Sequence, residues 1–444
     1  MSYFCMVSRR VRFIFALAIF CAAAPLASRA EVSLSLSEAI SLSRQHSYAI
    51  RSLYHDSLSA RYDLAAARSL RYPALSATAV SSYTDGVQAI ELPFTRIELG
   101  SHENYQADLR LTFPLYSGGR ISSQIKLQSA IATSRGFNLE AEIFQTAYET
   151  RKAYLGLMIT RSLLAAAEAS LRRIEILNRD VQNLYRGGLA DSIDILDSEL
   201  ALRRAAQARN DRRTGESNAA ALLARLTGLP LSENIKLSEL LPVPDYEHYE
   251  NIDILPEKSD RPEMEILKSR AAAARHSIGL NRAALMPALN AFGGYTVGKP
   301  NRDLVDKDWN DYWTAGLNLT WEFNLGGRVF KGVSASREAA RSAQLTADDL
   351  EESLQLAVRI AFENLGQAFG KYSSSQLEFE IAGRKYFLGA EKQKAGGLSV
   401  NRLLELEEDL DAAEQVFQSS IINYYLSETE YLYAIGSPKI YGGF

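Results

Sequence analysis

The chain has 444 residues, 47% of them hydrophobic, with 49 basic and 53 acidic residues and a formal net charge of −4. A surface of that balance is a poor match for nucleic acid, so no nucleic-acid partner is expected. The two cysteines, Cys5 and Cys21, sit close to the N-terminus and leave the rest of the chain without disulfides or thiolate metal ligands.

Residues 1–30 read as a signal peptide. Arg9, Arg10 and Arg12 precede the apolar run "FIFALAIFCAAAPLA", and "SRA" closes it at Ala30. The run is too short to span a bilayer comfortably. Cys21 follows bulky Phe20, where a lipid-attachment signal needs a small residue, so cleavage is expected rather than a lipid anchor. Cleavage would remove both cysteines and four arginines (Arg9, Arg10, Arg12, Arg29), leaving 45 basic against 53 acidic residues, a net −8. Beyond this segment no apolar stretch approaches the ~20 residues of a membrane helix. Any passage through a bilayer would fall to a β-barrel.

A first structural repeat is expected over residues 31–227. "LSEAI" begins a helix, and "RYPALSATAVSSYT" turns at Pro73 into a strand at about 74–84. A second strand follows at about 103–115, where "YQADLRLTFPL" places Tyr105, Ala107, Leu109, Leu111 and Phe113 on one face and Gln106, Asp108, Arg110 and Thr112 on the other. "GGR" at 118–120 stops the alternation and opens a long helix, which runs to glycines 187 and 188 before a second helix returns. Residues 228–261 hold Pro230, Pro242, Pro244 and Pro256 and read as a connector. Residues 262–436 then repeat the design, and residues 437–444 form a C-terminal tail.

The repeat is explicit in the residues. An offset of 208 carries Gly118-Gly119-Arg120 onto Gly326-Gly327-Arg328, Leu109 onto Leu317, Thr112 onto Thr320, Arg151 onto Arg359, and Gly188 onto Gly396. "MPALNAFGGYT" supplies the third strand, at about 288–298, and "WTAGLNLTWEF" the fourth, at about 312–323, with Trp313, Ala315, Leu317, Leu319, Trp321 and Phe323 expected on one face. No proline occurs between Pro114 and Pro230 or between Pro300 and Pro438, as long helices require, since an interior proline costs ~3 kcal/mol. From Gly119 to Gly187 is 68 residues, which as continuous helix reaches ~100 Å. After the glycine tips, Leu189, Ile193, Leu196 and Leu200, and again Leu403, Leu406, Leu410, Ala413 and Phe417, recur at coiled-coil spacing.

Four strands of about ten residues cannot close a barrel, because even the smallest needs about eight. An open edge in lipid would strand backbone groups without partners. Copies of the chain are therefore expected to complete one sheet, with lipid against the apolar face and water against the polar one.

Chemistry is not expected. The five histidines are scattered, and there is no phosphate loop, no nucleophile elbow and no HExxH. No enzymatic activity, cofactor, metal site or catalytic residue is read from the sequence.

The order of these features, duplicated at one offset over nearly the whole chain, resembles the TolC-type outer membrane efflux proteins (OEP family). "LSEAI", "RYPAL", "MPAL", the paired "GGR" turns, "GGLADSIDILD" and "GGLSVNRLLELEEDL" carry the likeness. The resemblance implies an α+β membrane protein with internal duplication. In that form a homotrimer makes a 12-stranded transmembrane β-barrel, four strands per protomer, continued by a long periplasmic α-helical barrel of coiled-coil hairpins. It also implies an outer-membrane exit duct of a tripartite efflux pump or type I secretion system, partnered by a periplasmic adaptor (membrane fusion) protein, an inner-membrane transporter and outer-membrane lipid. Adaptor docking carries over to Gly187, Gly188, Leu189 and Ala190 in the first repeat and to Gly396, Gly397, Leu398 and Ser399 in the second. The same glycines equally suit a tight turn.

The family's gate lies beside its tips. Asp194 matches an acidic gate position, with Asp191 and Asp197 at helical spacing from it. Glu405 matches a second acidic position, while Arg402 stands where the family often has another acid. Gln393 and Leu398 occupy the positions nearest the family's gate-tying aromatic and basic residues. Arg402 is expected to pair with Asp194 or Asp197 of a neighbouring hairpin. A plainer reading makes these charges solvated helix starts, where acids gain ~0.3–1 kcal/mol. The rival to the duct is a soluble periplasmic coiled-coil scaffold without channel activity, which would leave the apolar strand faces unexplained.

Overall fold

A computed structural model describes residues 32–99, 101–231, 235–239, 241–244, 259–302, 308–323 and 325–443. The expected signal peptide and its cleavage site lie outside the described residues.

Strand β1 (Val32–Leu34) leads into α1 (Leu36–His46), which starts at Ser35 because two orphan helix donors are satisfied reciprocally. The Ser35 hydroxyl accepts from the Glu38 amide, and the Glu38 carboxylate accepts from the Ser35 amide at 2.9 Å. Helix α2 (Tyr48–Ser69) stops short of Pro73, and β2 (Ala74–Tyr83) begins at once. A small hairpin of β3 (Gln88–Leu92) and β4 (Thr95–Leu99) then rises before β5 (Glu103–Tyr116). The sequence reading leaves this hairpin as loop, because five-residue strands carry too little alternation to stand out.

Helix α3 (Arg120–Arg186) and α4 (Ser192–Thr227) make the first long hairpin, of 67 and 36 residues. Strand β6 (Ile235–Leu237) pairs in parallel with β1. Helix α5 (Pro262–Arg282) carries proline at its first position, and a 3-10 turn then leads to β7 (Ala288–Lys299) and β8 (Asn310–Thr320). The second hairpin is α6 (Arg328–Lys394) with α7 (Val400–Ile435), again 67 and 36 residues. Each boundary of the second hairpin is that of the first plus 208, so the duplication extends to the helix ends.

The main sheet has four antiparallel strands in the order β2-β5-β7-β8. Pro114 sits in β5 without disrupting a ladder on both sides, because β2 has already ended opposite Thr112 and a bulge follows at Pro114/Tyr116. The fourth strand ends at Thr320, earlier than the expected 323. Trp321 and Phe323 therefore lie beyond the paired strand, their rings tilted by 39° with centroids 4.7 Å apart. The Trp321 indole N–H donates to the Leu285 carbonyl at 3.2 Å.

One core cluster joins Leu34, Leu36 and Ile40 to Phe144, Tyr154, Leu157, Leu223, Ile235 and Ile440. The tail thus reaches the core through Ile440, and a second cluster binds α3 to α6 and α7 through Leu155, Val358, Leu365, Tyr424 and Tyr431. Toward the glycine tips a third holds Leu177 and Val181 of α3 against Val400 and Leu403 of α7.

The two expected coiled-coil seams part company here. Leu403, Leu406 and Leu410 are 3%, 7% and 7% exposed, a true seam. Leu189, Ile193, Leu196 and Leu200 are 79%, 62%, 64% and 48% exposed, so this stripe does not face the chain's own hairpin. Spacing defines an apolar face but does not choose its partner, and α4 turns this face outward.

Candidate functional site

Each hairpin tip is built by the same backbone device. At the first, the Gly188 amide donates to Tyr185 O at 2.9 Å and the Leu189 amide to Leu184 O at 2.8 Å. At the second, Gly396 donates to Gln393 O at 2.9 Å and Gly397 to Lys392 O at 2.8 Å. This paired closure of the last carbonyls needs a left-handed residue, supplied by Gly188 (φ +72°) and Gly396 (φ +75°). Gly187 and Gly397 do not share that geometry: Gly187 caps α3 at φ −82°, and Gly397 follows the turn.

The expected docking residues therefore stand in unlike surroundings. Leu189 projects from the first tip, 79% exposed. Leu398 is half-buried and packs on the Leu177–Val181–Val400–Leu403 cluster. Ala190 is partly covered, and Ser399 caps α7 by accepting from the Arg402 amide at 3.3 Å.

The expected gate acids begin α4. The Asp191 carboxylate accepts from the amides of Ile193 and Asp194, at 2.7 and 2.9 Å, while the Asp194 carboxylate accepts from the Asp191 amide at 3.1 Å. Two of the three acids thus cap their own helix, a use that the solvated-helix-start reading covers. Asp197 lies half-buried one turn on. On α7 the Arg402 guanidinium donates to the Glu405 carboxylate three residues ahead, both side chains more than half exposed. Among the described residues of one chain, Arg402 makes no ion pair with Asp194 or Asp197.

The sheet presents two chemically distinct faces, and the register shows that they run across all four strands. Leu75 lies opposite Leu111, Ala77 opposite Leu109, Leu109 opposite Tyr295, Tyr295 opposite Trp313, and Ala291 opposite Leu317. On the reverse face, Thr78 lies opposite Asp108 and Asp108 opposite Thr296, whose hydroxyl donates to Asp108 at 2.7 Å. Arg110 on this face rests over the Phe292 ring, 4.8 Å from its centroid. Trp309 stacks on Tyr105 at one end of the apolar face, while Trp313, Leu317 and Leu319 stand 76%, 66% and 64% exposed among the described residues.

A junction that the sequence reading missed binds the two hairpins to each other. Glu407 of α7 is 2% exposed, and its carboxylate accepts from the Ser170 hydroxyl at 2.9 Å and the Arg173 Nε at 3.1 Å, both on α3. The Arg173 Nη1 also donates to Glu414 at 3.2 Å. Burial pushes the Glu407 carboxyl up from its ordinary value, against the opposing pull of Ser170 and Arg173. Its signal was available, since an acid between Leu403, Leu406 and Leu410 lies on the buried stripe of its helix.

A sequence profile described as outer membrane efflux protein matches residues 39–229 and 257–418. The chain is 24% identical over 353 residues to a probable efflux pump outer membrane protein, SepC, of Pseudomonas putida, spanning 76% of this chain and 70% of that protein. Its fold is similar to the Campylobacter jejuni CmeC outer membrane channel, with a TM-score of 0.77 at 16% identity over 90% of this chain and 85% of that one. It is also similar to the outer membrane protein VceC of Vibrio cholerae, with a TM-score of 0.77 at 14% identity over 90% of this chain and 96% of that one.

Proposed function

Because the chain belongs to the outer membrane efflux protein family, we propose that it forms the exit duct of a tripartite pump, passively conducting substrates from an inner-membrane transporter and periplasmic adaptor to the outside. Among pump classes, the likeness to a probable efflux pump protein favours an efflux pump over type I secretion. The carrying observation is the open sheet. One apolar face runs in register across four strands, and β2 and β8 are left as edges.

Membrane-embedded edges need partners, and a head-to-tail ring in which β8 of one copy meets β2 of the next closes without leftover strands. Three copies give twelve strands, more than the roughly eight whose interior side chains fill. The outward stripe of Leu189, Ile193, Leu196 and Leu200 supports the same assembly. Burying four such side chains against a neighbour is worth up to roughly 6–12 kcal/mol by area.

A soluble scaffold accounts for the helices but not for the uncovered face of Trp313, Leu317 and Leu319. Membrane fractionation followed by single-channel recording tests the duct. Recovery in the outer-membrane fraction and conductance in planar bilayers are expected, whereas a soluble, non-conducting protein would establish the scaffold.

A further inference from the structure

The joint that a second copy must make is already drawn inside one chain. Two offsets relate the repeats: 208 carries β5 onto β8 (Gly118 to Gly326), and 214 carries β2 onto β7 (Pro73 to Pro287). The strand register obeys both. Ala74 lies opposite Thr112 in the first repeat, and their counterparts Ala288 and Thr320 lie opposite each other in the second. The β5–β7 joint between the repeats has no counterpart in the main sheet, because β8 and β2 are its edges.

The missing joint shows in the strand lengths. β5 runs on past Thr112 to Tyr116, where β7 pairs with it alone, Phe113 opposite Ala291, Pro114 opposite Asn290 and Tyr116 opposite Leu289. β8 stops at Thr320, the residue equivalent to Thr112. Trp321, Glu322 and Phe323 continue the alternation in sequence but have no strand partner among the described residues. At the foot of the β5–β7 joint, Gly118 lies so close to the second repeat that a Cβ on it would stand 2.5 Å from the Met286 Cβ. The counterparts of this contact, Gly326 and Tyr72, are both exposed, Tyr72 to 70%.

We propose that β8 of one copy pairs with β2 of the next in the register of the β5–β7 joint, and that this pairing extends β8 through Glu322. Shifting each β5–β7 pair by the two offsets names the residues that meet. Thr112–Phe292 becomes Thr320 opposite Thr78 of the next copy, Phe113–Ala291 becomes Trp321 opposite its Ala77, and Pro114–Asn290 becomes Glu322 opposite its Ser76. Gly326 then receives the next copy's Tyr72.

Side-chain size and polarity agree with this register. Across the new joint the apolar face continues with large residues against small ones, Trp321 against Ala77, Leu319 against Ala79 and Tyr83 against Ala315. A slip by one residue would set the apolar face of β8 beside the polar face of β2. A slip by two keeps the faces but sets Leu317 or Trp313 against Tyr83. The proposal rests on the closed ring of the duct reading, and the register itself does not depend on conduction.

The test is disulfide formation in outer membranes holding the full-length protein, whose own cysteines, Cys5 and Cys21, precede residue 31. Directly opposed residues have Cα atoms about 4.5–5.5 Å apart, within disulfide reach, whereas residues displaced by two stand about 7–8 Å apart, beyond it. Within one chain β2 and β8 are separated by two strands and roughly 14 Å, so a bridge between them reports two copies. On oxidation Thr78→Cys/Thr320→Cys and Ser76→Cys/Glu322→Cys are expected to give a covalent ladder of dimer and trimer, and wild type none. Ser76→Cys/Thr320→Cys and Val80→Cys/Thr320→Cys, each two residues out of register, are expected to lose the ladder. Thr112→Cys/Phe292→Cys, the equivalent pair inside the chain, should close without linking copies and shows that the oxidant reaches this face.

Light scattering of the unoxidised protein in detergent gives the size of the oligomer. An oligomer linked only by a displaced pair overturns the register and leaves the ring standing. A ladder from Thr78/Thr320 without one from Ser76/Glu322 overturns the extension of β8. An oligomer that links no β2–β8 pair, although Thr112/Phe292 closes, overturns the joint, and a monomer overturns the ring with it. A Thr78/Thr320 ladder in a protein that does not conduct would overturn the duct and leave the register in place.

Discussion

Two leucines in stripes of the same coiled-coil periodicity have opposite fates. Leu403 is 3% exposed against α3, whereas Leu196 is 64% exposed on α4. Leu403→Ala removes a packed side chain and leaves a cavity, so a loss of about 2–5 kcal/mol in protomer stability is expected. Leu196→Ala should change protomer stability by no more than about 0.5 kcal/mol and instead weaken the oligomer. Denaturant midpoints and cross-linked oligomer yield separate the two effects. The sequence exposed both stripes but not this distinction, because periodicity reports a face and never its partner. Arg402 poses a similar question: its pair with Glu405 is local and exposed, and such pairs are worth about 0–1 kcal/mol. If it also ties neighbouring hairpins across the assembly, Arg402→Ser should raise the open probability of the reconstituted channel. Unchanged closure would leave only the local pair.

At the level of elements, the long helices were legible to within a few residues, since glycine pairs and proline gaps mark their ends. The 208-residue offset even carries α3 and α4 onto α6 and α7 boundary for boundary. Short elements were not legible. The three-residue β1 and β6 carry no periodicity, and they exist because Leu34 and Ile235, 2% and 1% exposed, meet in the core. Residues 437–443, within the expected C-terminal tail, meet the same core. Ile440 is fully buried in it, and the Gly442 carbonyl accepts from Nη1 of Arg151, itself 2% exposed, at 3.0 Å. Ile440→Ala should lower stability by about 2–5 kcal/mol. Deleting residues 437–444 should cost more, because it also strips an acceptor from a buried cation. The thermal midpoint of the helical circular dichroism signal ranks the variants; an intact midpoint after deletion would show that the tail is not needed to hold this junction.

For the whole molecule, the sheet sets a condition that no single chain satisfies: a continuous apolar face and two unpaired edges. The faces were readable from alternation alone, yet the register that aligns Leu109 with Tyr295, and Tyr295 with Trp313, is a property of the folded sheet. Adjacent residues of β8 make the face assignment testable. Leu317 lies on the apolar face opposite Ala291, and Asn318 on the polar face opposite Asn290. An arginine at a lipid-facing site near the bilayer midplane costs about 2–4 kcal/mol, while lumen positions accept charge. Leu317→Arg is therefore expected to reduce the assembled oligomer recovered in outer membranes sharply, because every copy in the ring carries the penalty. Asn318→Arg, one residue away and of the same size and charge, should assemble normally and alter only the ion selectivity of the channel. Equal assembly of the two variants would mean that lipid does not cover the Trp313–Leu317 face, and with that the reason for copies to close the sheet in a membrane would be lost.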